Sequence, residues 1–191
     1  MSLAAHQIAL SLFFFLTSFL EIIAQTAQTF LPAFGSPPVG ADAAEWRAAS
    51  NRLVNRLLRA VLAIASIGAA VGAAFLLGGT HALTNDATVR LAARPLAAPL
   101  AASYVMCGPL ALAEGVLLAR RQLKFLAGIY LATVAILPAA LVTVQRRGGA
   151  IGSIWTVFAI FNLCRALLFG ARVWGSQILD RSGSQSQPRA D

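Results

Sequence analysis

AAHQIALSLFFFLTSFLEIIAQTAQTFLPAF, Ala4 to Phe34, decides the fold class. About 25 of these residues are enough to cross a bilayer as one helix, at 1.5 Å rise per residue through a ~30 Å hydrocarbon core. The polar residues inside the stretch are not scattered. At about 100° per residue, Gln7, Ser11, Thr17, Ser18, Glu21, Gln25, Gln28 and Thr29 fall within an arc of about 120°, and Phe13, Phe15, Phe19, Ile23 and Phe30 lie on the opposite face. A spanning helix with a polar stripe and a carboxylate near mid-depth does not face lipid all round; it faces other protein or water.

The rest of the chain repeats the apolar pattern. Hydrophobic residues make up 58% of the 191 residues and charged ones 12%, with a mean hydropathy of +0.73. A soluble domain needs more charge than this to cover its surface. Five apolar segments, at about residues 7–32, 57–79, 96–119, 125–144 and 150–172, predict an all-α, polytopic transmembrane bundle over residues 1–174. Residues 175–191, GSQILDRSGSQSQPRAD, are polar and low in hydrophobicity and read as a disordered tail.

The net charge of +8 is not a nucleic-acid signal, because the basic residues sit at the ends of apolar segments instead of forming one stripe. Arg47, Arg52, Arg56, Arg59, Arg120, Arg121, Lys124 and Arg172 fall on one side of the membrane, and Arg90, Arg94, Arg146 and Arg147 on the other. By the positive-inside rule the C-terminus is then inside and the N-terminus outside, which an odd number of spans requires. The chain carries no recognisable cleavable leader. Arg52, Arg56 and Arg59 share one helix face, fit to meet lipid headgroups. In the second segment Gly68 and Gly72 form a GxxxG, with Ala65 and Ala69 in parallel, which predicts close helix packing. Thr84, Asn85 and Asp86 are N-cap types, so a short interfacial helix is expected from about Ala87 to Arg94. The connection RRQLK is short and predicts an antiparallel hairpin between the third and fourth segments.

Few residues carry chemistry. Glu114 shares a helix face with Ser103 and Cys107, and a carboxyl in a spanning helix is a functional candidate by default. Glu114 also lies only six residues from Arg120, so headgroup water is within its reach as an alternative. Glu21 is deeper, with Gln25, Gln28 and Ser18 on its face; burial would favour its neutral form. Arg165 interrupts the fifth segment one turn after Asn162. It either snorkels to the near surface, the preferred reading, or pairs with Glu114, which would hold that carboxylate ionised. His6 is expected at the outer interface. Pro109 and Pro138 each remove a backbone donor inside an apolar segment. Cys107 and Cys164 show no metal-ligand or disulfide spacing. No catalytic set, metal motif or phosphate-binding glycine loop is found, so the chain is not read as an enzyme and needs no cofactor.

Several of these words resemble a known family. AAHQIAL (Ala4–Leu10) followed by EIIAQTAQTFLP (Glu21–Pro32) looks like the eighth helix of multidrug and toxic compound extrusion (MATE) transporters, most similar to the plant and algal branch that includes plastid-envelope members. LTNDATV (Leu83–Val89) resembles the stretch after the ninth helix. LALAEGVLLARRQLKFL (Leu110–Leu126) resembles the tenth helix and the turn beyond, where an acidic residue precedes glycine, here Glu114 and Gly115. The resemblance covers about Leu3 to Trp174 and implies the C-terminal lobe of a twelve-helix secondary transporter, without its N-terminal lobe and seventh helix. It implies export of a small organic solute or xenobiotic by H⁺ or Na⁺ antiport, with Glu114 as the coupling carboxylate and the Glu21–Gln28 stripe lining the cavity. The implied membrane is the plastid envelope, with plasma membrane or vacuole as alternatives. A different reading is a non-transporting membrane protein that acts only through helix–helix interaction with partner helices.

Overall fold

The computed structural model describes the backbone of residues 3–149 and 151–185, and the side chains of 3–149 and 152–175. Over these residues the chain forms α1 (Leu3–Phe30), α2 (Ala43–Gly78), α3 (Ala87–Ala93), α4 (Ala97–Ala119), α5 (Leu123–Arg146) and α6 (Ile151–Gln185), joined by short 3₁₀ turns and no strand. All but α3 supply a span long and apolar enough to cross a membrane. The protein is an all-α, multi-pass membrane protein, as its hydropathy predicts.

Local chemistry sets the helix starts. Asp42 accepts a hydrogen bond from the Ala44 N–H (2.8 Å) and caps α2. Of the three cap types before α3, Asp86 takes the position and accepts from the Thr88 N–H at 2.8 Å. That backbone hydrogen bond holds the Asp86 carboxyl below its ordinary value of 3.8. Helix α2 is far longer than its apolar segment: 36 residues extend about 54 Å, so its arginine-bearing first turns project past the hydrocarbon. Helix α6 runs to Gln185, beyond the span that ends at Gly175. The stretch 175–191 read as a disordered tail thus has a helical backbone through Gln185, and residues 186–191 lie outside the described residues.

Helix α4 is the hub, with α1, α2 and α6 packed around it. No hydrophobic force drives apolar helices together in lipid, so close backbone approach must supply the attraction. The sequence supplies it with small side chains. The face of α1 turned inward is Ala5, Ala9, Phe13, Leu16, Leu20, Ala24 and Ala27, a seam at helical spacing in which alanines at both ends flank three large residues. Phe15, Phe19 and Phe30 are exposed. On α2 the predicted small-residue seam is buried as Ala65, Gly68, Ala69 and Gly72. Gly68 lies against the Tyr104 ring, and a Cβ on Gly108 would stand 2.9 Å from that of Ala65. At Gly115 the neighbour is backbone: a Cβ would fall 2.6 Å from the Ala24 carbonyl oxygen. Only glycine lets α1 and α4 cross there. Tyr104, fully buried, donates its hydroxyl to the Leu16 carbonyl (2.8 Å) and ties the same two helices.

Helix α5 stands apart. Leu126 is its one buried residue, and Leu131, Val134, Ile136 and Val142 are exposed. It leans on α6 through Phe125 against Phe169, with ring centroids 5.9 Å apart.

Candidate functional site

Two polar sets occupy the spanning region, and the helix packing treats them differently. The first lies on the seam between α4 and α6. These helices run parallel, so residues of increasing number pair in register. Asn162, buried, donates its Nδ2 to Cys107 Sγ at 3.5 Å. Lower on the seam, Arg165 Nη2 lies 3.8 Å from Glu114 Oε2. Arg120 Nη1 then donates to the Val173 carbonyl (3.3 Å), and Arg172 Nε to Gln122 Oε1 (2.8 Å).

The ion pair corrects the preference for a snorkelling Arg165. A guanidinium about halfway along a parallel seam meets a carboxylate on the facing helix sooner than it meets water, and its stem is enclosed on the way. Arg165 keeps 15% of its side-chain surface and Glu114 31%. Rings complete the enclosure: the Arg165 guanidinium carbon lies 5.0 Å from the Tyr130 ring centroid and 5.4 Å from that of Phe169. The Tyr130 hydroxyl also interacts with Glu114. The Arg165 Nε is buried with no hydrogen-bond partner among the described residues. Sequence reading passed over Tyr130, because nothing in a string shows that a lone tyrosine on the next helix closes over an ion pair.

Ser103, on the Glu114 face of α4, is not exposed. It is wholly buried, and its hydroxyl bonds back to the Pro99 carbonyl at 2.8 Å. A hydroxyl one turn after a proline-bearing turn satisfies itself without a partner helix. Cys107 is half-buried and Cys164 exposed, both as free thiols.

The second set is the stripe of α1. Gln7, Ser11, Ser18, Glu21, Gln25, Gln28 and Thr29 are all exposed, and Thr17 is half-buried. Ser18 bonds back to the Phe14 carbonyl (3.2 Å) and Thr29 to that of Gln25 (2.9 Å). The Glu21, Gln25 and Gln28 side chains find no partner among the described residues. The stripe therefore points away from the other helices. Glu21 and Glu114 are not brought together: one lies outside the bundle and the other within a seam.

His6 is engaged where an interfacial residue was expected. Its Nδ1 accepts the Trp155 indole N–H at 3.2 Å. Phe13 and Phe158 pack edge-on around Trp155, with centroids at 5.6 and 6.1 Å. Among the described residues no group of three His, Cys, Asp or Glu is placed to hold a metal ion.

No protein-family model, curated protein or solved structure matches the chain.

Proposed function

We propose that the chain is the membrane-embedded lobe of a MATE-type secondary transporter, whose α1 stripe lines the path of an organic solute. The observation that carries this reading is the exposure of Ser18, Glu21, Gln25 and Gln28 on a spanning helix. Unpaired carboxylate and amide groups facing hydrocarbon cost several kcal/mol apiece, roughly. A water-filled path between this lobe and helices beyond this sequence removes that cost. The words at Ala4–Leu10, Glu21–Pro32 and Glu114–Gly115 support the same family. Alternating access then moves two lobes about the shared path, driven by H⁺ or Na⁺.

The two carboxylates take different parts. Glu114 faces Arg165 at 3.8 Å across the α4–α6 seam, so the pair ties these two helices until an ion or a movement of α6 separates it. It works as a latch between α4 and α6. Glu21, open to the path, is the group that exchanges proton, ion and solute. The excess of basic residues beside the α4–α5 turn, eight against four by the residues named above, orients that end to the cytosol or stroma. The family resemblance favours the plastid envelope.

Thiol accessibility tests the reading. With Cys107 and Cys164 replaced, Gln25→Cys in sealed membranes reacts with a charged, membrane-impermeant maleimide, because thiolate chemistry needs water. Leu131→Cys, on the exposed face of α5, does not. An organic cation such as ethidium slows labelling of Gln25→Cys. If Gln25→Cys is as inert as Leu131→Cys, the stripe is packed against partner helices, and the non-transporting reading replaces this one.

A further inference from the structure

At the end of the bundle that holds the α4–α5 turn, residues Leu31–Phe34, the start of α2 and the turn itself border an open cavity of about 800 Å³. Arg47, Arg120 and Arg121 line it with Ser50, Asn51 and Phe34, and no carboxylate is among its described lining residues. The cations come from two places far apart in the chain, the start of α2 and the α4–α5 turn. Arg47 Nε is anchored on the Ala43 carbonyl (3.1 Å), and Arg120 Nη1 on the Val173 carbonyl of α6 (3.3 Å). Arg121 has a φ of 56°, in the left-handed region. Glycine fills that region without strain, so an arginine there is placed against local preference. Of the described acids near this end, Asp42 is committed to capping α2, and Glu45 is exposed and does not line the cavity.

Depth is fixed by the neighbouring aromatics. Trp46 packs on Phe34 at 5.3 Å between centroids, and its indole N–H is buried without a partner among the described residues. A tryptophan beside a proline-bearing turn at the end of a span belongs to the headgroup level. Arg52, Arg56 and Arg59 are exposed further along α2.

We propose that this cavity binds the phosphate of an anionic phospholipid headgroup. The arginines take the phosphate oxygens, Ser50 and Asn51 add neutral hydrogen bonds, and Leu31 and Phe34 give an apolar flank for the glycerol and first methylenes. A lipid is the source because that apolar flank and the headgroup depth match an amphiphile, whereas a free anion would use the arginines alone. The opposite end differs: its cavity, about 350 Å³, is lined by Arg90 and Arg94, and Asp86 offsets Arg90. This inference does not rest on the transport reading.

The test is native mass spectrometry of the purified 191-residue chain, incubated in detergent with equimolar phosphatidylglycerol and phosphatidylcholine. The wild type retains phosphatidylglycerol in roughly tenfold preference. Arg47→Gln/Arg121→Gln brings the ratio to about parity, and the charge-matched Arg90→Gln/Arg94→Gln keeps it. Excess inorganic phosphate leaves the bound lipid in place. The absence of a preference in the wild type, needing no variant, overturns the proposal. So does equal loss in both double variants, which would mean a diffuse charge effect. So does displacement of the lipid by inorganic phosphate that itself stays bound, which would make the site one for a free anion.

Discussion

Glu114 and Glu21 are the same residue type in two spanning helices, and the bundle handles them in opposite ways. Glu114 is turned into the α4–α6 seam, where it meets Arg165, whose guanidinium lies over the Tyr130 and Phe169 rings. Glu21 is turned out, with glutamines for neighbours and no ion-pair partner among the described residues. A charge satisfied inside a fold is part of that fold's packing. A charge left outside on a helix with a perfectly good apolar seam is there for something the fold does not contain. The seam is a closed system and the stripe an open one.

The contrast can be broken most severely at Gly115. Its lack of a side chain is what lets α1 lay its small-residue seam on α4 and so turn the stripe outward. Gly115→Leu, driven into the Ala24 backbone, costs about 3 kcal/mol, read as the shift in unfolding midpoint when mixed micelles are titrated with a denaturing detergent. A shift within error would mean that α1 and α4 do not cross there.

Next in size is the ion pair. Arg165→Leu leaves the Glu114 carboxylate without its partner and costs roughly 2 kcal/mol, less than for a fully buried pair because Glu114 keeps some exposure. Glu114→Gln/Arg165→Leu recovers most of that loss. Equal stability of the single and double variants in the same titration would show that the two groups do not interact.

The smallest effect on stability sharpens the comparison from the other side. Glu21→Leu changes the unfolding midpoint by no more than about 0.5 kcal/mol, since the residue touches nothing in the bundle. It nevertheless removes the solute protection of Gln25→Cys. A large destabilisation from Glu21→Leu would place the carboxylate inside a packed interface and erase the distinction between seam and stripe.

Much of this was legible in the string because membrane physics acts on composition. Five spans, the hairpin at RRQLK and the short helix after Asp86 follow from hydropathy, loop length and cap chemistry, all local properties. The stripe of α1 is likewise a matter of helical periodicity, as is the GxxxG seam of α2. The α1 core face was harder to read. Its small residues are less conspicuous than the phenylalanines, yet they are what α4 touches, because attraction between helices in lipid comes from close approach and not from hydrophobic bulk. The fates of Ser103 and Arg165 also lay beyond the string. A buried serine that bonds to its own helix looks the same, letter by letter, as one lining a cavity. An arginine at mid-span snorkels or pairs according to what the next helix presents.

By itself, then, the sequence determined that the chain is a five-span helical membrane protein with a polar stripe on its first span and its basic residues at the helix ends. The tertiary structure alone decided that α4 is the hub, that Glu114 is held by Arg165 while Glu21 is left open, and that Arg47, Arg120 and Arg121 converge on one cavity. The reason is physical. Hydropathy and periodicity act within a turn or a span, whereas pairing across 51 positions, from Glu114 to Arg165, depends on which helices stand side by side and in what register.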